Sequence, residues 1–355
     1  MDVVAAAELG DREWDRLCQD ASGAWFWHTT AWRDYTLAYR PALASRSLAF
    51  AVVEGTQPLA LVPLMVEKAA EHYDGQRFSF GGDACWSPAV AATLDPSQGD
   101  AALRAALHHV DELAEQHGVD SVALKLSPLA AGWRDHLPVF IAATTRAGYT
   151  DVSLSSQVID LDVDAQTLRT SMTKGHRADV TRGRRVLDTS VTTGEQAIAD
   201  FPAYRAMHAL AAGRVTRPDE TFRLMESWLT TGAAALVKAV RGDAAVGFTY
   251  LILHAGAAYY ASAANHPDHA AEPIGHVLHA AAIDWLKARG FRRYELGLQQ
   301  FGPLPHDVPS DKQLGIARFK RGFGGGTVPL MVREKWFSKE AYRRAMGSRI
   351  ERYAT

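Results

Sequence analysis

The sequence of 355 residues contains only two cysteines, Cys18 and Cys85. Two cysteines cannot build a disulfide framework and are too few for a cysteine-based zinc site, so the sequence favours the reducing cytoplasm. We expect both thiols to be buried packing residues. Glycine and proline, at 28 and 15 residues, are too few for a fibrous or low-complexity chain.

No apolar run in the sequence has the composition of a membrane span. The longest stretch without a formal charge, residues 244–267, contains Thr249, His254 and Asn265. A uniformly apolar membrane helix of about 20 residues would not carry these side chains, and two strands of a sheet suit the stretch better. The amino-terminal segment has acidic residues where a signal peptide carries basic ones. We therefore expect neither membrane insertion nor export by that route.

The common signatures of metal-dependent and covalent catalysis are missing from the sequence. Two histidine pairs at i, i+3 spacing, His266 with His269 and His276 with His279, lack the HExxH pattern of zinc-binding helices, and Pro267 interrupts the first pair. There is no GxSxG elbow, no GxGxxG and no Walker motif. We expect no metal, no cofactor and no covalent intermediate.

The formal net charge of −2 hides an asymmetry between the two parts of the chain. Residues 1–150 carry 11 basic and 19 acidic side chains, whereas residues 151–355 carry 27 basic and 21 acidic ones. The second part is therefore the one expected to meet an anionic partner, such as a phosphate-bearing ligand or nucleic acid.

The order of predicted elements repeats along the chain. An apolar hairpin turning at Gly55 precedes a helix that ends at Gly118 and runs into a strand. A second hairpin turning at Gly242 precedes a helix that ends at Gly290 and again runs into a strand. The repeat predicts an α/β protein with mixed sheets, built from two domains related by internal duplication. We place the domains at residues 1–155 and 156–355, with an Arg-rich helix over 166–187 at their joint.

The densest basic cluster lies between residues 174 and 185, within that predicted helix. In a helix, Lys174, Arg177 and Arg184 fall near one face, with Arg182 and Arg185 beside it. This arrangement suits sequence-independent contacts to phosphates. A solvated helix face is the alternative interpretation.

A second motif, FKRGFGGG, covers residues 319–326. Its consecutive glycines would let backbone N–H groups approach a ligand, while Lys320 and Arg321 supply positive charge where a carbonyl or phosphate oxygen could be stabilised. A tight turn with incidental cations is the alternative. Upstream, Tyr259 and Tyr260 are consecutive in a predicted strand, so only one of them can face a given pocket and the other is expected in the core.

Several segments together resemble the Fem-type peptidyltransferases, which have two tandem acetyltransferase-like (GNAT-type) domains and transfer aminoacyl groups from aminoacyl-tRNA to an amine. These segments are WFWHTTAW (25–32), LVPL (61–64), the Arg-rich helix, GFTYLILHAGAAYYASAA (247–264), YELG (294–297) and, above all, FKRGFGG (319–325). The resemblance implies that Lys320 stabilises the oxyanion, with Phe319 stacking nearby. It also implies that Tyr259 or Tyr260, with Arg214 or Arg217, binds the acceptor.

The sequence departs from this family at three points. Ser127-Pro128 stands where many members have Asp-Pro, so a nucleotide-linked muropeptide is a doubtful acceptor, and the long coiled-coil arm of some members is missing. The pyrophosphate loop of true acetyltransferases is reduced to EPIG at 272–275, which leaves few N–H groups for a pyrophosphate. Binding of coenzyme A there is disfavoured.

The sequence thus favours a cytoplasmic aminoacyltransferase that uses an aminoacyl-tRNA to acylate a small amine, with specialised-metabolite biosynthesis as a candidate setting. The base is left open between Glu295 and Asp179, for each of which a structural ion pair is the alternative. Two further hypotheses stand beside it: an acyl-CoA-dependent N-acyltransferase of GNAT type, and a non-catalytic RNA-binding or scaffold protein.

Overall fold

A computed structural model of the protein describes residues 1–69 and 75–353. The helices in these residues are α1 Ala6–Leu9, α2 Asp11–Gln19, α3 Thr30–Tyr39, α4 Pro96–His117, α5 Trp133–Arg146, α6 Ala165–Ser171, α7 Lys174–Gly183, α8 Gly194–Ala212, α9 Asp219–Thr230, α10 Ile274–Ala288, α11 Asp311–Arg321 and α12 Lys339–Tyr353. The strands of the first part are β1 Asp2–Ala5, β2 Ala21–Ser22, β3 Arg46–Ser47, β4 Phe50–Glu54, β5 Gln57–Val62, β6 Met65–Lys68, β7 Gln76–Phe78, β8 Cys85–Trp86, β9 Ala89–Ala91, β10 Val119–Lys125 and β11 Thr150–Asp151. Those of the second part are β12 Leu154–Asp160, β13 Asp188–Thr192, β14 Ala234–Arg241, β15 Ala244–His254, β16 Ala257–Asn265, β17 Arg293–Gln299, β18 Gly326–Leu330 and β19 Val332–Trp336.

The chain folds into two compact units. Unit 1 comprises Met1–Ser155, Gly302–Ser310 and Pro329–Thr355, and unit 2 comprises Ser156–Phe301 and Asp311–Val328. The carboxy-terminal segment, which the sequence-based division assigned to the second domain, packs in unit 1. The reason is that β19 pairs antiparallel with β10, from Ser121 opposite Trp336 to Lys125 opposite Val332.

Unit 1 holds two sheets. The first has the strand order β1-β4-β5-β9-β2, and the second has the order β11-β19-β10-β7-β6-β3 with β8 also paired to β10. The predicted hairpin turning at Gly55 is confirmed by β4 and β5, which pair antiparallel. Cys18 and Cys85 are both buried free thiols, and burial raises the pKa of each well above that of an exposed thiol. Both therefore act as packing residues, as the sequence predicts.

Unit 2 is built on one mixed sheet in the order β13-β14-β15-β16-β17-β12-β18. Helix α10 lies on one face of this sheet, where Val277, Leu278 and Ile283 pack against buried strand residues such as Leu251 and Leu296. The apolar residues of α10 recur at helical spacing, which explains why this face of the helix is buried. The stretch 244–267 forms the antiparallel pair β15 and β16, as the sequence predicts.

The predicted repeat of helix, glycine and strand is confirmed in both units. Gly118 follows α4 and precedes β10, and Gly290 follows α10 and precedes β17. The Arg-rich segment differs from the prediction, since it is two helices rather than one. Helix α6 ends at Ser171, and the Thr173 side chain accepts a hydrogen bond from the His176 backbone to begin α7. Such a cap favours a new helix start over continuation of the preceding helix.

Candidate active site

The sheet of unit 2 opens between two parallel strands. β16 and β17 pair only from Ala257 opposite Arg293 to Tyr259 opposite Glu295, although β16 continues to Asn265 and β17 to Gln299. Beyond Tyr259 and Glu295 the two strands no longer form a ladder with each other. The carboxyl ends of parallel strands are a common place for ligands in α/β proteins, so this opening is the natural starting point for a site.

Lys320 and Tyr259 converge on Gly297 in this opening. A Cβ atom on Gly297 would lie 3.3 Å from Lys320 Nζ and 3.4 Å from the Tyr259 hydroxyl. Gly297 also has φ +87°, a left-handed conformation that glycine adopts without strain. Lys320 comes from the last turn of α11, and its Nζ lies 3.5 Å from the Leu298 carbonyl oxygen on β17. An ammonium and a phenolic hydroxyl thus share one small space above β17.

The electrostatics of Lys320 are set by burial and by one carboxylate. Burial lowers the pKa of Lys320, and Glu295 acts in the opposite direction by stabilising the charged ammonium. Glu295 is only 4% exposed and accepts a hydrogen bond of 2.6 Å from the Ser156 hydroxyl. Glu295 is therefore a buried carboxyl group near Lys320, two residues before Gly297 on the same strand.

The other candidate base, Asp179, has structural partners. It accepts a hydrogen bond of 2.8 Å from Arg182 on the next turn of α7, and its other oxygen lies 3.5 Å from His276 Nε2. Asp179 thus links α7 to α10. This arrangement matches the ion-pair alternative for Asp179.

Phe319 points away from Lys320 and into an aromatic cluster. Its ring lies 5.0 Å from that of His276 and 5.1 Å from that of Phe323, and a Cβ atom on Gly275 would lie 3.1 Å from its Cζ. Burial, followed by the charge of Lys320, lowers the pKa of the neighbouring His279 to about 3. Phe319 thus anchors α11 against α10, a packing position that differs from the stacking role implied by the family resemblance.

Tyr259 and Tyr260 point to opposite faces of β16, as expected for consecutive residues of a strand. Tyr259 reaches Gly297, whereas Tyr260 packs edge-on against His279, with ring centroids 4.6 Å apart. Burial raises the pKa of Tyr260 to about 12. Tyr260 is therefore the tyrosine that packs against the core under α10, and Tyr259 is the one that lines the opening.

The two arginines between α8 and α9 also have different surroundings. Arg217 is half-buried and donates a hydrogen bond of 3.4 Å to the Ser262 hydroxyl on β16. Tyr204 donates to the same hydroxyl at 3.0 Å. Arg214 lies exposed in the loop. Arg217, and not Arg214, is therefore tied to the strand that carries Tyr259.

The glycine run does not form the backbone cradle that the sequence suggests. A Cβ atom on Gly324 would clash with Ser171, and one on Gly325 would clash with the backbone of Val158. The Gly324 carbonyl also accepts a hydrogen bond of 2.6 Å from the Gln157 side chain. These glycines permit close packing of the turn against α6 and β12. The chemistry of the motif therefore lies in its cations rather than in its glycines.

Arg321 lies beside Lys320 and has neutral partners. Its guanidinium donates a hydrogen bond of 2.8 Å to Gln299 Oε1 and lies 4.5 Å from the ring centroid of Phe301. Sequence reasoning missed Gln299 and Phe301. Their only signal is position, since Gln299 ends the strand that carries the YELG segment and Phe301 follows two residues later.

The basic cluster forms a cleft of about 790 Å³ between α6 and α7. Its cationic lining residues are Arg169, Lys174, Arg177, Arg182 and Arg185. Arg169 was missed by the sequence analysis because the break between α6 and α7 is what turns it towards the others.

Arg184 departs from its predicted place in this cluster. It follows the last residue of α7 and forms an ion pair of 2.7 Å with Asp284 on α10. The ion pair directs the Arg184 side chain towards α10, and Arg184 is not among the residues that line the cleft. The face predicted for Lys174, Arg177 and Arg184 is therefore wrong for its third member.

The amino-terminal end of α10 is poorly suited to a pyrophosphate. Pro273 has no N–H, and the Ile274 N–H donates to the Glu272 carbonyl at 2.9 Å. Helix α7 packs on this end, since a Cβ atom on Gly183 would lie 3.0 Å from Pro273 Cγ. A helix terminus binds phosphate through open N–H groups, and few are open here.

Residues 1–69 and 75–353 contain no metal-binding cluster and no helix suited to crossing a membrane. Within them, no three or more His, Cys, Asp or Glu side chains are grouped so that they could hold a metal ion. The helices in the same ranges include none that combines the length and apolar character needed to span a bilayer.

The chain is similar to known proteins both in part of its sequence and in its fold. Residues 173–321 match the model of the acetyltransferase (GNAT) domain family. The crystal structure of FemX superposes over 98% of this chain and 100% of its own, with a TM-score of 0.69 at 11% identity. The chain has the fold of FemX. The resemblance to the Fem-type family and the tandem GNAT-like architecture predicted from the sequence are thereby confirmed at the level of the fold.

A second solved structure with this fold is that of L-PGS from Bacillus licheniformis. It covers 86% of this chain and 88% of its own, with a TM-score of 0.57 at 13% identity. No curated protein sequence matches this chain. At such identities the FemX-like fold is shared, and the chemistry of this chain has to be argued from its own residues.

Proposed function

We propose that this protein is a cytoplasmic aminoacyltransferase that takes an aminoacyl group from an aminoacyl-tRNA and forms an amide bond on a small amine. The observation that carries the proposal is that the Lys320 ammonium and the Tyr259 hydroxyl both lie against Gly297, where β16 and β17 separate. A positive charge held in a partly buried opening is suited to an oxyanion. The FemX-like fold supports the same reaction class.

In the proposed reaction the acceptor amine attacks the ester carbonyl of the aminoacyl-tRNA. The new C–N bond forms as negative charge develops on the carbonyl oxygen, where Lys320 stabilises it. The C–O bond to the ribose then breaks, and the proton lost by the amine ends on the ribose oxygen. Since the ester is already activated, orientation and charge stabilisation are the main contributions required of the protein.

Glu295 is assigned a positioning role in this scheme. Its carboxylate is buried and engaged by the Ser156 hydroxyl, and its charge favours the protonated form of Lys320. Tyr259 is assigned to substrate binding in the same opening, and Arg217 to the acceptor side through its contact with Ser262.

The basic cleft supports RNA as the carrier of the aminoacyl group. Lys174, Arg182 and Arg185 are exposed and line the same cleft as Arg177 and Arg169. Five cations in one cleft offer an electrostatic surface for backbone phosphates. The amino-terminal end of α10, by contrast, has few open N–H groups for coenzyme A.

The direct test of the donor is label transfer. Radiolabelled amino acids charged on total tRNA are incubated with the protein and the small-molecule fraction of a cell extract, with ribonuclease added to one sample. A parallel reaction contains labelled acetyl-CoA. Transfer from tRNA that ribonuclease abolishes supports the proposal and identifies the amino acid, whereas label transferred only from acetyl-CoA contradicts it.

An acyl-CoA-dependent N-acyltransferase is the second candidate function. The observation that favours it is the match of residues 173–321 to the acetyltransferase (GNAT) domain family. The two candidates share Lys320 and the opening between β16 and β17 but differ in the donor. The acetyl-CoA arm of the transfer experiment therefore separates them.

A further inference from the structure

The amide of Gln299 is buried with its donor side unused. Gln299 is 2% exposed, and its Oε1 accepts the hydrogen bond of 2.8 Å from Arg321 Nη1. Because the guanidinium can only donate, this bond fixes the orientation of the amide and turns Nε2 away from Arg321. Among the residues that the structure describes, none accepts a hydrogen bond from Gln299 Nε2. A buried amide donor without a protein partner can be satisfied by an acceptor atom of a ligand or of a water molecule.

Arg321 adds uncompensated positive charge at the same place. Its hydrogen bonds go to the Gln299 side chain and, at 3.4 Å, to the Gln300 carbonyl. In residues 1–69 and 75–353 no carboxylate forms an ion pair with Arg321, whereas Arg184 and Arg182 each have one. A guanidinium with only neutral partners keeps donors and charge available for an anion such as a phosphate.

Phe301 presents an aromatic surface next to this charge. Its ring is 64% exposed and lies 4.5 Å from the Arg321 guanidinium carbon. An aromatic face is therefore open to solvent beside the Arg321 charge. An aromatic ring beside an arginine is the usual combination for stacking a nucleobase.

The position of these three residues relative to Lys320 defines which part of a ligand they can reach. Lys320 Nζ lies against Gly297, and Arg321 donates to Gln299. Gly297 and Gln299 are two residues apart on β17 and therefore share one face of the strand. A group held by Gln299 and Arg321 is therefore adjacent to a carbonyl stabilised by Lys320. In an aminoacyl-tRNA, the group next to that carbonyl is the ribose and phosphate of the terminal adenosine.

We propose that Gln299, Arg321 and Phe301 form a subsite for the 3′-terminal nucleotide of the donor. Phe301 stacks on the adenine, Arg321 contacts the phosphate, and Gln299 Nε2 donates to an oxygen of the ribose or phosphate. This assignment rests on the proposed function, since it takes the donor to be a tRNA. A nucleotide carried by the acceptor has the same chemistry and is separated by the experiment.

The test measures binding by isothermal titration calorimetry with two probes. The first is the 5′-phosphorylated trinucleotide CCA, which reproduces the 3′ end of tRNA, and the second is uridine diphosphate. Both are titrated into the full-length protein and into the variants Phe301→Ala and Gln299→Met. Ile350→Ala is the matched control, because Ile350 is 65% exposed and lies in unit 1.

The proposal predicts that Phe301→Ala weakens CCA binding by about 5- to 150-fold, the range found when a stacking aromatic is removed. Gln299→Met should weaken it by about 3- to 10-fold through loss of one hydrogen bond. Ile350→Ala should leave it unchanged. Equal affinity of the wild type and Phe301→Ala for CCA overturns the subsite, as does a Phe301-dependent affinity for uridine diphosphate alone.

The label-transfer reaction separates failure of the subsite from failure of the function. If tRNA-dependent transfer proceeds in Phe301→Ala with an unchanged KM for charged tRNA, the subsite is wrong and the function stands. If CCA binds through Phe301 but no label leaves the tRNA, the nucleotide subsite stands and the aminoacyltransferase function is wrong.

Discussion

The Lys320 ammonium lies in close contact with the position where a side chain on Gly297 would begin. A Cβ atom at Gly297 would be 3.3 Å from Lys320 Nζ and 3.4 Å from the Tyr259 hydroxyl. Gly297, the glycine of the YELG segment, therefore leaves the space that the Lys320 ammonium and the Tyr259 hydroxyl occupy. Any side chain at this position would crowd both groups.

Gly297→Ala is expected to displace Lys320 and Tyr259 and to lower kcat for label transfer by about 10- to 100-fold, because small misplacements of catalytic groups are costly. Gly290→Ala is the matched control. Gly290 has φ +77°, close to the +87° of Gly297, but nothing lies within 4 Å of its Cβ position. Both variants should lose about 1 kcal/mol of stability from backbone strain, measured by urea unfolding. Equal kcat values for the two variants would contradict the role given to Gly297.

The alkaline limb of the pH–rate profile should reflect deprotonation of the Lys320 ammonium. The ammonium form is the active one, so the rate falls as pH rises through its pKa, which burial lowers from the ordinary lysine value. Glu295 stabilises the ammonium, and Glu295→Gln should therefore move the alkaline limb to lower pH. The measurement is the rate of label transfer against pH, corrected for ester hydrolysis without protein. Glu340→Gln, an exposed carboxylate of α12, serves as control. If the alkaline limb of Glu295→Gln coincides with that of the wild type, Glu295 does not stabilise the Lys320 ammonium.

The basic cleft predicts a change in salt dependence. The double variant Arg182→Ala with Arg185→Ala should weaken tRNA binding and reduce the slope of log K against log salt by about 1.5, from two lost phosphate contacts. Arg184→Ala is the control, since Arg184 pairs with Asp284 outside the cleft. The slopes come from filter binding at several salt concentrations. The same slope in the double variant and in the wild type would show that RNA does not use this cleft.

Much of the fold follows from local sequence patterns. Helix α9 spans Asp219–Thr230, a segment whose apolar residues recur at helical spacing, and the glycines at 118 and 290 mark helix ends that precede strands. These features depend on neighbouring residues and can be predicted from them. The carboxy-terminal strand β19 cannot, because its partner β10 lies more than 200 residues earlier in the sequence.

The site could be predicted only in part, because its geometry also depends on contacts between residues that are distant in sequence. Lys320 and Tyr259 are prominent in the sequence, but their meeting above Gly297 depends on how α11 packs on the sheet. Arg184 was misplaced because a helical pattern over 166–187 does not show that Arg184 pairs with Asp284 on α10. Gln299 was missed because its importance lies in an unused hydrogen-bond donor, which only the surroundings of a buried amide can reveal.

The central claim is that Lys320 stabilises the oxyanion formed on an aminoacyl ester, and a single-turnover measurement with Lys320→Ala tests it most directly. Lys312→Ala is the matched control, because Lys312 is exposed on the same helix. The account predicts that Lys320→Ala slows label transfer from charged tRNA by at least about 100-fold while tRNA affinity changes by less than about twofold, and that Lys312→Ala behaves as the wild type. Transfer by Lys320→Ala at the wild-type rate would contradict the account.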